Sequence, residues 1–218
     1  MEPVNFRMPG YRINEYLVVL KPQEELWQKI LKVKDAFAET YKHPSAKYLK
    51  PHLALVSFLG LEMMEAKIMQ RLQLVSMGMA PFKIELKDYG SYPSHTIFIN
   101  VTTRLAVQNL VKELKGAQRL FKLGNENKPH FLEDPHIAIA RKLKPWQYEQ
   151  GWQEYSHRQF TGRFIADHLL LLKRKAGEKT AYQVAGRFVF QNLPVVTKQG
   201  SLFSSSPPLL GGHQPQAF

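Results

Sequence analysis

The chain of 218 residues contains no cysteine, which excludes a disulfide-stabilised scaffold and a thiolate metal site. It also lacks a long apolar run: the longest near the start spans only residues 16–20, whereas a membrane-spanning helix needs about 18 residues. The N-terminal segment does not have the charged-then-apolar layout of a signal peptide. These absences predict a cytoplasmic protein with no membrane partner.

Acidic residues are scarce as well. The chain has 18 Asp and Glu against 30 Lys and Arg, which leaves a formal net charge of +12. This excess favours anionic partners, with nucleic acid or nucleotides ahead of a membrane; a basic, solvated surface without such a partner is an equal alternative. Hydrophobic residues make up 44% of the chain, enough for the core of one sizeable domain or two small lobes.

Two similar tripeptides are the main feature of the sequence. His52-Leu53-Ala54 and His136-Ile137-Ala138 each follow a proline and lie within an apolar run. On an extended strand, a histidine and the alanine two residues later share a face. The repeated pattern therefore predicts two imidazoles that meet across a cleft.

Strand-like and helix-like patterns alternate along the chain in an order that repeats once. The first half is predicted to end with the strand at residues 82–89, and the last two strands are predicted to form a hairpin. The predicted elements are strand 16–20, helix 22 to about 43, strand 52–58, helix 62–77, strands 82–89 and 96–101, helix 104–121, strand 136–141, helix 145–157 and strands 165–173 and 182–190.

Two histidines can act together in acid–base chemistry. A neutral imidazole accepts a proton from an attacking hydroxyl or water, while a protonated one gives a proton to the leaving oxygen. This combination suits phosphodiester chemistry. The non-bridging oxygens of the phosphate then need hydrogen-bond donors or cations, because negative charge develops on them.

The segments at residues 51–55 and 135–141 resemble the two signature strands of the 2H phosphoesterase superfamily, which includes the 2′-5′ RNA ligase-like proteins. The resemblance covers about residues 11–190. It implies an α+β fold of two pseudo-symmetric lobes, each a largely antiparallel sheet flanked by helices, with a central cleft that carries both motifs. It also implies action on 2′,3′-cyclic or 2′-5′ phosphodiesters of RNA ends or nucleotides, without metal or cofactor. His52 and His136 would be the acid and base.

The chain departs from the family pattern two residues after each histidine, where Thr or Ser is replaced by Ala54 and Ala138. Loss of one preorganised donor costs about 10²- to 10³-fold in rate. Backbone amides, Lys50 or Arg141 are the candidates to hold the phosphate instead, although Arg141 has the opposite parity to His136 in a regular strand. A catalytically impaired module that binds RNA or nucleotides is therefore the alternative to an enzyme.

Several other residues are secondary candidates. Tyr92 is predicted to line the cleft and stack on a base, whereas Phe98 fits the core better. Asp134 can orient His136, but a turn role is slightly favoured. The remaining histidines have no metal-ligand spacing, so no metal is predicted. The basic runs at 141–144 and 173–175 suit either a phosphate backbone or a solvated rim.

The composition changes after residue 190 to turn-forming and small polar residues. We therefore predict a single bilobal domain over residues 1–190 and a mobile or loosely packed tail over 191–218. Docking of the tail through Phe203, Leu209 and Leu210 is the less favoured alternative. No obligate protein partner is inferred.

Overall fold

The computed structural model describes residues 11–48, 50–178 and 180–193. The strands in this part of the chain are β1 (Ile13–Leu20), β2 (Leu53–Leu61), β3 (Phe82–Tyr92), β4 (Thr96–Val101), β5 (His130–Phe131), β6 (His136–Arg141), β7 (Thr161–Ala166), β8 (His168–Lys175) and β9 (Gln183–Val189). The helices are α1 (Glu24–Thr40), α2 (Ser45–Tyr48), α3 (Glu65–Gly78), α4 (Arg104–Lys115), α5 (Gln118–Phe121) and α6 (Pro145–Tyr155), with a 3₁₀ turn at Glu62–Met64 before α3.

The described strands form two sheets in which every pairing is antiparallel. The first has the order β5-β2-β1-β8-β9, and the second has the order β6-β4-β3-β7. Helices flank both sheets, and one continuous cluster of buried apolar side chains joins them. The predicted α+β fold of two lobes with antiparallel sheets is confirmed, and each lobe carries one histidine motif, next to β2 or at the start of β6.

The sequence pattern predicts two lobes that are consecutive halves of the chain. The structure does not have this division. Strand β3, predicted to complete the first half, belongs to the second sheet, where it pairs with β4 and β7. The predicted strand 165–173 is in fact two strands, because the chain passes from one sheet to the other at Asp167. The apolar pattern continues across this crossing, so it indicates extended structure without indicating the partner strand.

The helix predicted at 104–121 is also interrupted. It ends at Lys115, the turn at Gly116 follows, and the single-turn helix α5 resumes at Gln118. Gly116 has a low helix propensity, which is consistent with a break at this position. The predicted hairpin of the last two strands is present as β8 and β9.

Two helices, α1 and α4, are exchanged between the lobes. Helix α1 connects β1 and β2 of the first sheet but packs against β6 and β7 of the second. Helix α4 connects β4 and β6 of the second sheet but contacts β2 of the first. The buried face of α1 repeats every three or four residues, as expected for an amphipathic helix. A helix of one lobe therefore supports the motif strand of the other.

The start of the predicted tail is hydrogen-bonded. The backbone amides of residues 191–193 donate to carbonyls at the end of α3, and Phe190 stacks on Phe82. Residues 194–218, including Phe203, Leu209 and Leu210, lie outside the described residues, so the division at residue 190 stays a prediction. Within the described residues, no helix has the length and apolar character needed to cross a bilayer.

Candidate active site

Strand β6, which begins with the second motif histidine, contains a β-bulge. Ala138 pairs with Phe98 and Arg141 pairs with Thr96, so Ile139 is an extra residue on β6. Residues 96 and 98 share one face of β4, and the residues directly opposite them share that face. Arg141 therefore lies on the same face as Ala138 and the histidine. The opposite parity expected for Arg141 in a regular strand does not hold here.

Strand β2 has a bulge at the same place in its motif. Ala54 pairs with Val19, and the register shift leaves Leu55 as the extra residue. The shift brings Ser57, which is half-buried, onto the face that carries Ala54. Ser57 in the first lobe and Arg141 in the second thus occupy equivalent positions relative to their motif histidines.

Each motif imidazole is held by the backbone carbonyl two residues earlier. His136 is 7% exposed, and its Nδ1 lies 2.8 Å from the carbonyl oxygen of Asp134. The His52 ring makes the matching hydrogen bond to the backbone of Lys50. A neutral His136 therefore donates from Nδ1 and keeps the lone pair on Nε2. This is the tautomer needed to exchange a proton at Nε2.

Asp134 and Lys50 contact the motif histidines through their backbones and not through their side chains. The carbonyl of Asp134, not its carboxylate, holds the imidazole; the carboxylate lies 3.3 Å from the Tyr92 hydroxyl and 3.5 Å from an Arg104 nitrogen. Lys50 likewise uses its backbone, and its side chain is exposed. Both residues therefore orient a motif histidine through the main chain.

Two aromatic rings surround the second imidazole. The centroid of the Tyr92 ring lies 5.3 Å from that of His136 at 84°, and the Phe98 ring lies 4.6 Å away. Phe98 is buried, as expected of a core residue, but it belongs to the cleft face of β4. Gly90 lies opposite Phe98 on β3, and a Cβ there would come within 2.6 Å of the ring. The close approach of Phe98 thus depends on a glycine.

One guanidinium acts on both motif histidines. Burial is the main cause that lowers the pKa of His52, to about 4, and the charges of Arg141 and Lys34 lower it further. Burial also lowers the pKa of His136, again with a contribution from Arg141, while the carbonyl and carboxylate of Asp134 oppose the shift. Both imidazoles are therefore mainly neutral at pH 7, and the charge of Arg141 acts on both of them.

Lys34 is a site residue that the sequence reasoning missed. It lies on α1, is 0% exposed, and donates from Nζ to the carbonyls of Ala138 at 2.9 Å and Ile139 at 2.8 Å. Burial, followed by the charge of Arg141, lowers its pKa to about 7. The sequence did carry a signal: Lys34 follows the buried Ile30 by one helical turn, so a lysine occupies the apolar stripe.

The two basic runs differ in their environment. In the run at 173–175, every cation has a carboxylate partner: Lys173 pairs with Glu65, Arg174 with Glu15 and Lys175 with Glu178. No ion pair in the described part of the chain includes Arg141 or Lys34. Unneutralised positive charge is therefore found at the second motif.

Two cavities lie elsewhere in the described structure. One, of about 390 Å³, is lined by residues of β3 and β7 such as Glu85 and Arg163. The other, of about 280 Å³, lies between the start of β1 and the β8–β9 turn. Neither includes a motif residue. Among the described residues, no three His, Asp or Glu side chains converge as metal ligands would.

Comparison with known proteins identifies the family. The model of the 2′-5′ RNA ligase superfamily matches residues 22–178, and the chain therefore belongs to this superfamily. The family predicted from the two motifs is thus confirmed. No curated protein sequence matches the chain.

Solved structures with the same fold are distant in sequence. The protein TT0787 of Thermus thermophilus is 16% identical with a TM-score of 0.55, over 81% of this chain and 98% of that one. E. coli LigT in complex with 3′-AMP is 15% identical with a TM-score of 0.54, over 82% and 98%. The LigT complex with NADP+ has a TM-score of 0.56 at 15% identity, over 82% and 99%. At these identities the likeness concerns the fold alone.

Proposed function

We propose that the protein is a metal-independent phosphoesterase that acts on 2′,3′-cyclic or 2′-5′ phosphodiesters of RNA ends or nucleotides. One observation carries the proposal: the motif histidines of two contacting strands, β2 and β6, lie close to the same unpaired guanidinium, Arg141. A cation whose charge acts on both imidazoles suits a phosphate that is attacked on one side and loses its leaving group on the other.

The surroundings of the two histidines favour different roles. His52 is next to two cations, Arg141 and Lys34, so its neutral form is strongly favoured. His136 has the carboxylate of Asp134 nearby, which favours protonation. We therefore assign His52 as the general base and His136 as the general acid. His52 takes the proton of the attacking water or hydroxyl as the new P–O bond forms, and His136 gives a proton to the leaving oxygen as the old bond breaks.

A bound phosphate changes the protonation of the site. Its negative charge raises the pKa of both imidazoles, since an opposite charge stabilises the protonated form. Arg141 is the proposed ligand of the non-bridging oxygens, because Ala54 and Ala138 offer no hydroxyl there. We assign Tyr92 to stack on the base or ribose, and Lys50, which is exposed, to a more distant phosphate. The complexes of LigT with 3′-AMP and NADP+ support a nucleotide as the ligand.

A binding module of the same fold is the second candidate function. The observation in its favour is that both motifs end in alanine and that both imidazoles are neutral at pH 7. Such a module would hold RNA ends or nucleotides without turnover. For either function we propose a cytoplasmic protein that needs no obligate protein partner. Residues 1–190 are the proposed bilobal domain that carries the function.

Removal of either motif histidine tests the catalytic proposal. His52→Ala and His136→Ala are each expected to lower turnover of 2′,3′-cyclic nucleotides or 2′-5′-linked dinucleotides by about 10²- to 10⁴-fold, as expected for loss of a general acid or base. The assay contains EDTA. His157→Ala, which changes an exposed histidine at the end of α6, is expected to match the wild type. A wild type that binds these nucleotides but does not turn them over would favour the binding module.

The pH dependence of kcat/KM tests the assignment of base and acid. Because burial lowers both histidine pKa values, and that of His52 to about 4, the form with neutral His52 and protonated His136 predominates only below the lowered pKa of His136, and kcat/KM should fall as the pH rises through that pKa. Arg141→Gln removes a repelling cation, which raises both pKa values, so the alkaline limb should move to higher pH while the maximum drops. Arg163→Gln is the control, in which the alkaline limb should stay in place. An alkaline limb that also stays in place in Arg141→Gln would contradict the assignment.

The two alanines can be tested by restoring the hydroxyls. If donors limit the rate, the double variant Ala54→Thr, Ala138→Thr should gain up to about 10²- to 10³-fold in kcat. Ala54→Val with Ala138→Val is the matched control, because valine has the shape of threonine without the hydroxyl. Equal activity of the Thr and Val pairs, both folded, would show that missing donors do not limit the reaction.

A further inference from the structure

Strand β6 lies at the edge of its sheet, so carbonyls on its outer side have no partner strand among the described residues. In β2 the bulge carbonyl of Leu55 accepts a hydrogen bond from the amide of Leu132, which follows the neighbouring strand β5. In β6 the corresponding carbonyl of Ile139, and that of Ala138 before it, accept from Lys34 instead. The donor to the bulge carbonyls is thus a lysine side chain in the second lobe and a backbone amide next to a neighbouring strand in the first.

Burial makes this arrangement costly. Lys34 is fully buried and forms no ion pair with any described carboxylate. Of the nearby charges, Arg141 opposes its protonation and Asp35 favours it. An apolar side chain at this position would avoid the desolvation of an ammonium group but would leave two carbonyls without a donor. The hydrogen bonds at the bulge therefore account for a lysine at this place on α1.

The bulge has a direct consequence for the cleft. In a regular strand the side chains of His136 and Arg141 would point to opposite faces. The extra residue, Ile139, puts them on the same face, and Lys34 is bonded to the carbonyls of this residue and the one before it. Nε2 of the His43 ring lies 3.1 Å from the Arg141 carbonyl oxygen.

We infer that Lys34 is a positioning residue: it takes the place of a neighbouring strand at the edge of β6, fixes the bulge and so directs Arg141 toward the two motif histidines. The inference rests on the proposed function in one respect, since Arg141 is the proposed phosphate ligand. The geometric part concerns the free protein and can be measured without ligand or turnover.

His136 is a suitable reporter for the position of Arg141. Its pKa responds to the charge of Arg141 and to the carbonyl and carboxylate of Asp134, which face it from the preceding turn, while the Tyr92 ring lies against it. The charge of Lys34 is among the causes of the shift in the pKa of His52 and not among those of the shift in the pKa of His136. A change at Lys34 should therefore reach the pKa of His136 through the position of Arg141.

The test is an NMR titration of His136 in a double-mutant cycle. Arg141→Gln is expected to raise the pKa of His136. Lys34→Met is also expected to raise it, by no more than Arg141→Gln does. In the double variant, Lys34→Met should add nothing to the effect of Arg141→Gln. Lys29→Met is the matched control: Lys29 also lies on α1 and donates to a carbonyl of β7, Thr161 at 2.7 Å, but is exposed, and His136 should not respond.

Two results would overturn the inference: an unchanged pKa of His136 in folded Lys34→Met, or a further rise when Lys34→Met is added to Arg141→Gln. Lys34→Gln keeps an N–H donor without the charge. It should hold His136 closer to its wild-type pKa than Lys34→Met does, and an equal rise in both variants would overturn the role of the donor at the bulge. If Lys34→Met fails to fold, Lys34→Leu takes its place in the cycle.

A second measurement separates this inference from the proposed function. Affinity for 3′-AMP and for inorganic phosphate should fall about tenfold in Lys34→Met, since a charge-assisted hydrogen bond from Arg141 is weakened. Lys29→Met should bind as the wild type does. If the wild type binds neither ligand, the proposed function fails, whereas the role of Lys34 is still decided by the titration of His136.

Discussion

The backbone register of two bulged strands is the constraint on which the candidate site depends. Each bulge follows its motif histidine at the same place, and each changes which side chains beyond the motif face the cleft. In the first lobe this brings in Ser57, a hydroxyl; in the second it brings in Arg141, a guanidinium. The first bulge is supported by a neighbouring strand, whereas the second is supported by Lys34 from a helix that belongs in sequence to the other lobe.

The electrostatics of the site follow from this arrangement. The charge of Arg141 opposes protonation of Lys34, and both cations oppose protonation of His52. No ion pair among the described residues neutralises either cation, unlike the paired run at 173–175. A phosphate bound between the histidines would offset this repulsion and raise the pKa values of the imidazoles. The imidazoles are thus mainly neutral in the protein alone, and an anionic ligand would favour their protonation and so acid catalysis.

Much of this could be predicted from the sequence. The two motifs indicated the family and the two-lobed α+β fold, both of which are confirmed, and Tyr92 does lie against His136. The rest depended on contacts distant in sequence. Simple alternation along a strand cannot reveal a bulge, so Arg141 was expected on the wrong face. A local helix pattern cannot show that α1 packs on the opposite sheet, so the chemical meaning of Lys34 was hidden. In the sequence, the crossing at Asp167 leaves only one sign, a break in the two-residue alternation of buried side chains: Ala166 and Leu169 are both buried but lie three positions apart.

The central claim is that both histidines and Arg141 face one anion site. The most direct measurement is side-chain ¹H–¹⁵N NMR of the histidines during titration with 3′-AMP. We expect the resonances of His52 and His136 to shift together with one dissociation constant and both pKa values to rise in the complex. Binding that shifts only one of the two imidazoles, or that leaves both unchanged, would contradict it.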